Sequence, residues 1–220
     1  MKRILFFSLA ACAILIGGGC GSGREGVPEI TGNAAHTVLQ PMVSIGPGND
    51  ATTLAGPIDK NIPAAWYPPK NREKGWKAIV IHHSATHKGN AAVFDDWHKN
   101  DHKWKGVGYD FVIGNGDGSG DGQVEVTFRW RQQIAGAHVG DTPGNWANED
   151  AVGICVIGDF TKASPTYRQM QSLATLFRFL QGRYRIPKSR IYGHSNTPGY
   201  KGRTLCPGRK FPWARLERML

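Results

Sequence analysis

The run Lys77–His83, KAIVIHH, limits the fold more than any other stretch of this 220-residue chain. Its β-branched and apolar residues read as a short buried strand, and Ala151–Gly158, AVGICVIG, reads the same way. Residues Ala91–Lys103 set Val93, Phe94 and Trp97 at helical spacing. Pro165 opens a long helix through Tyr184, with Met170, Leu173, Leu176, Phe177 and Leu180 on one stripe. Gly108–Gly114 and Gln123–Phe128 read as strands joined by the glycine-rich NGDGSGDG. Ser189–His194 reads as a last short strand, and FPWARLERML as a closing helix. Strands alternating with two long helices predict an α/β domain with a central mixed β-sheet flanked by helices. The hairpin in the middle argues against a purely parallel, doubly wound sheet.

This pattern begins only near Trp66–Trp76, so the ends of the chain need a separate account. Residues 1–20, MKRILFFSLAACAILIGGGC, have a basic start, an apolar core and small residues before Cys20. That layout predicts a signal peptide, too short for a membrane span. Cys20 is expected to be lipidated and to become the mature N-terminus, as in a bacterial lipoprotein, with plain secretion as the alternative. Cys12 in LAAC fits the lipoprotein pattern better but leaves a very short apolar core. From Gly21 to Pro69, Gly, Pro, Ala, Thr and Asn without periodicity read as a flexible linker, leaving 70–220 as one domain. Removing the leader takes away two of the 27 Lys and Arg and none of the 17 Asp and Glu, for a net charge of +8. Such a chain is attracted to polyanions. Export points to acidic lipid or cell-wall polymer and away from nucleic acid.

Candidate chemistry sits at strand ends, where α/β folds commonly build sites. His82 and His83 end the first strand, His194 ends the last, and Cys206 follows twelve residues later in RTLCPG. By residue type, two histidines and one cysteine match a catalytic zinc site with one position open. The same residues also admit a plainer account. In it, His194 is a polar strand terminus and Cys206 a small buried residue or a disulfide partner of Cys155. Side chains alternate along a strand, so His82 shares a face with Val80 and His83 with Ile81. Only one of the pair can face a common site, and alternation does not say which.

The segments IVIHHSAT, WHKNDHKWKGVGYDFVI, AGAHVG, NEDAVGICVIGDF, YGHSNTPG and TLCPG occur in that order from about Lys77 to Trp213. Taken together they resemble the zinc-dependent N-acetylmuramoyl-L-alanine amidases, the type shared with peptidoglycan recognition proteins. The resemblance implies His82, His194 and Cys206 as zinc ligands, and so excludes a Cys155–Cys206 disulfide. It implies that Tyr109 holds or polarises the substrate, and that His138 lines the substrate groove. Two residues before the third ligand, relatives carry Lys or Thr. Thr204 stands there, offering a neutral hydrogen bond in place of a positive charge.

The implied reaction is hydrolysis of the amide joining muramic acid to L-alanine in peptidoglycan or muropeptides, by a water that the metal activates. No carboxylate stands out as a general base. Non-catalytic recognition modules of this fold typically lose a zinc ligand, often the cysteine, whereas this chain keeps all three. A monomer at the bacterial cell envelope, anchored through Cys20, is the expected setting.

Other features read more simply. NGDGSGDGQVE fails calcium-loop spacing, because Val126 stands at the twelfth position from Asn115. His98 and His102 lie four apart on a helix, with Lys99 and no Glu between them, and read as surface residues, His98 near the groove. His87 reads as solvent-facing and Cys155 as a buried thiol. Trp97, Trp104, Trp130 and Trp146 divide between sugar-stacking surface and core.

Overall fold

The computed structural model describes residues 61–220. The leader, Cys20 and most of the linker expected over 21–69 lie outside the described residues. Ile62 and Trp66 pack on the core, which therefore begins ahead of position 70. No helix among the described residues is long and apolar enough to cross a membrane.

Five strands form one sheet: β1 (Ala78–His83), β2 (Phe111–Ile113), β3 (Val124–Val126), β4 (Ala151–Val156) and β5 (Ile191–Gly193). Their spatial order is β3-β2-β4-β1-β5. The β2–β3 hairpin is antiparallel and the other three pairings are parallel, so the sheet is mixed as expected. β1 and β4 are buried at all six positions each, the apolar run reaching Ile81 in β1 and spanning all of β4.

Alternation sorts these residues onto two faces. On one, Ile79, Ile81, Val152, Ile154 and Val156 meet Met170, Leu173, Leu176, Phe177 and Leu180 of the long helix. On the other, Ala78, Val80 and Ala151 meet Val139 and Ala147, beside a cluster of Phe94, Val107, Val112 and Cys155.

The α-helices among the described residues are α1 (Ala91–Asn100), α2 (Phe128–Gln132), α3 (Trp146–Asp150), α4 (Tyr167–Tyr184) and α5 (Trp213–Met219). The sequence reading starts α4 at Pro165, two residues early. Thr166 instead caps it, accepting the Gln169 N–H at 3.0 Å while the Gln169 side chain accepts the Thr166 N–H at 3.0 Å. Gln169 then donates to the Ile113 and Ile157 carbonyls, fastening the helix to the sheet.

Helix α1 stops at Asn100, and Lys103 takes a left-handed φ of 57°. Its buried pair is Phe94 and His98, four apart, while Val93 and Trp97 are 52% and 42% exposed. The strand expected through Phe128 gives way to α2, because Thr127 turns the chain by accepting the Arg129 N–H at 3.2 Å. Trp130, of the four tryptophans in question, goes to the core, while Trp97 and Trp104 stay partly exposed.

A buried acid joins β2 to β4. The Asp110 N–H donates to the Gly153 carbonyl, and its carboxylate accepts the Gly153 N–H, both at 2.8 Å. The other carboxylate oxygen is buried without a partner. Burial raises the Asp110 pKa to about 7, against the opposing pull of the Gly153 N–H and the Arg129 charge. The folded state therefore holds a proton that the unfolded chain releases near pH 4, and this group's contribution to stability falls as pH rises from there to about 7. Asp110→Asn is expected to exceed the wild type in stability by about 4 kcal/mol at pH 8. That gap should close towards pH 4.5 in urea titrations. A gap independent of pH would contradict the assignment.

Candidate metal centre

Strand register creates the site. β1 and β5 run parallel with Ile81 opposite Gly193, so the next residues, His82 and His194, emerge side by side at the same end of the sheet. Their rings lie 4.7 Å apart between centroids. The loop after β5 then returns Cys206 to this edge, closed by Ser195 N–H donating to the Cys206 carbonyl at 2.8 Å. Gly193 permits the return, since a Cβ there would meet Pro207 Cδ at 2.6 Å. Cys206 Sγ accepts the backbone N–H of His83 at 3.3 Å and lies 3.7 Å from His82 Nδ1. Ligand atoms of His82, His194 and Cys206 all fall within 4.8 Å of one another, the only such group among the described residues.

The electrostatics suit a cation. Burial drives the His82 pKa well below its ordinary 6.5, with His138, His194 and His83 adding to the effect. Burial brings His194 to about 4. Both imidazoles are therefore neutral at physiological pH and keep a free lone pair. Burial also pushes the Cys206 thiol up to about 12, against the His83 N–H. A divalent cation would offset that cost by binding the thiolate. His194 Nε2 is buried with no hydrogen-bond partner. Two imidazoles and a sulfur without a carboxylate match zinc and do not match calcium or magnesium.

Around this trio the expected site residues take distinct places. The half-buried Tyr109 ring lies 5.2 Å from that of His82. Burial, with the Cys155 and Cys206 thiols, raises its pKa well above 10, so the phenol keeps its proton. Thr204 is half-buried, and its hydroxyl oxygen accepts the Cys206 N–H at 3.2 Å. His138, expected along the groove, is only 6% exposed. Its Nδ1 lies 3.1 Å from His82 Nε2, and its Nε2 lies 3.3 Å from the Ala151 carbonyl oxygen.

His83 turns away from the trio, and its Nδ1 accepts the Phe160 N–H at 3.1 Å. Cys155 is buried and free, as is Cys206, so no disulfide joins them. His98 departs from its surface reading. It is 4% exposed, its Nδ1 accepts the Gly108 N–H at 3.0 Å, and its ring lies 5.8 Å from that of Tyr109. Its position four residues after Phe94 on α1 is the signal that points inward. His87 is solvent-facing, as expected.

The model of the family described as N-acetylmuramoyl-L-alanine amidase matches residues 71–209. Among curated proteins, a peptidoglycan-recognition protein of Drosophila simulans is 28% identical over 165 residues, 70% of this chain and 76% of its own. Peptidoglycan-recognition protein SC2 of Drosophila melanogaster is 30% identical over 138 residues, 59% of this chain and 66% of its own. Among solved structures, the N-acetylmuramoyl-L-alanine amidase LysC from Clostridium intestinale URNW superposes with a TM-score of 0.54 at 29% identity. That match covers 66% of this chain and 84% of that one. The Ph2119 endolysin from a Thermus scotoductus bacteriophage shares the fold, with a TM-score of 0.53 at 22% identity over 67% of this chain and 86% of its own. The chain, with its mixed sheet and its clustered His82, His194 and Cys206, belongs to the N-acetylmuramoyl-L-alanine amidase family.

Proposed function

We propose that this protein is a zinc-dependent hydrolase that cleaves the amide between N-acetylmuramic acid and L-alanine in peptidoglycan or muropeptides. The observation that carries the reading is the trio His82, His194 and Cys206, complete and within 4.8 Å, in a member of the amidase family. Bound zinc supplies a Lewis acid and a water with its pKa lowered to about 7. His82 and His194, kept neutral by burial, and Cys206 would hold it.

The other residues act on the substrate. Tyr109, protonated far above neutral pH, donates a hydrogen bond to the scissile carbonyl oxygen as negative charge develops there. The Thr204 oxygen already accepts the Cys206 N–H, which leaves the hydroxyl proton to donate to the same oxygen. Both donors are neutral, so this help carries no formal positive charge. The basic chain suits an anionic wall polymer. Export, with a lipid anchor on Cys20 at the bacterial envelope, and action as a monomer complete the proposal.

The recognition proteins among the relatives favour a second reading, capture of muropeptides without cleavage. Incubation with muropeptides, with and without chelator, separates the two when products are analysed by mass spectrometry. The amidase reading expects free stem peptide with metal and none after chelation. Binding without any released peptide in zinc-replete protein would establish recognition alone.

A further inference from the structure

His138 is buried beside the site, its ring 5.1 Å from that of His82. The Ala151 carbonyl oxygen can only accept, so the His138 Nε2 facing it at 3.3 Å is the donor. A neutral imidazole has one N–H, which leaves His138 Nδ1 as an acceptor. His82 Nε2, 3.1 Å from that Nδ1, must then donate. The lone pair of His82 is left on Nδ1, the nitrogen that faces Cys206 Sγ at 3.7 Å. Without such a partner, an imidazole is free to carry its proton on either nitrogen, and one of the two forms blocks the ligand atom.

The fold clears a place for this contact. A Cβ on Gly136 or on Gly153 would collide with the His138 ring, at its Cδ2 in both cases. The His138 N–H also donates to Asn148 Oδ1 at 2.8 Å, which fixes the backbone that carries the ring.

We propose that His138 is a positioning residue: through the chain Ala151 carbonyl, His138, His82 it fixes the tautomer and ring orientation of a metal ligand and does not itself bind substrate. The inference rests on the zinc reading given above. Partners of this kind typically change metal affinity 10- to 100-fold.

Two measurements test it. In metal-free wild-type protein, nitrogen-15 NMR should find the His82 proton on Nε2 and Nδ1 unprotonated. A proton on Nδ1 would overturn the proposal whatever the metal does. In chelator competition, His138→Ala is expected to bind zinc about 10- to 100-fold more weakly than wild type. His138→Asn, which restores an acceptor near Nδ1, should recover most of that loss. Folded His138→Ala with wild-type zinc affinity would also overturn it. Wild-type protein that binds no zinc would instead remove the metal reading, and with it any ligand for His138 to position, even with the tautomer as expected.

Discussion

Cys206→Ser is expected to abolish tight zinc binding and to lower the rate of muropeptide cleavage by about three orders of magnitude or more. Sulfur is the donor that distinguishes this trio from an ordinary pair of histidines, and a serine hydroxyl does not ionise to replace it. The fold should survive, because a serine oxygen can accept the His83 N–H that Cys206 Sγ accepts at 3.3 Å. That separates loss of metal from loss of structure. Wild-type protein should gain about 2.7 kcal/mol of stability when zinc is present at a hundred times its Kd, and the variant essentially none. Full zinc content and full activity in Cys206→Ser, by metal analysis and product assay, would refute the site.

Trp130→Ala should cost about 3–5 kcal/mol of stability, the range for emptying a large aromatic site in a core. The indole is fully buried, stacks on Trp76 at 6.0 Å and tilts against Phe111 at 4.6 Å. Its N–H donates to the Trp66 carbonyl at 2.9 Å, so truncation also leaves that carbonyl without its partner. Trp130 thereby ties the segment ahead of β1 to α2 and the sheet. Urea unfolding of purified protein gives the cost directly, and a loss under about 1 kcal/mol would show that the site collapses around the gap.

The two predictions draw on differently legible parts of the chain. The buried strands are readable because β1 as far as Ile81 and the whole of β4 are apolar, a pattern that survives without knowledge of neighbours. The long α4 is readable from its stripe, but its first residue is not, since Thr166 and Gln169 cap the helix only by bonding each other. Phe128 reads as the end of a β-run, and only the turn at Thr127 makes it the start of a helix. Helical spacing groups Val93 and Trp97 with Phe94, whereas Phe94 and His98 are the pair that α1 buries.

The sequence by itself determined the composition of the sheet, the order of its motifs and the residue types of the zinc-type trio. These depend on local pattern and on which donors a metal accepts. Strand alternation left His82 and His83 open and the family resemblance implied His82; the physical reason comes from the tertiary structure, whose β1–β5 register sets His82, and not His83, beside His194 and Cys206. The tertiary structure alone brought His138 against His82, and the Asp110 carboxylate against the Gly153 amide, 43 residues away. Burial and hydrogen-bond partners belong to packing between distant segments, which local periodicity does not encode.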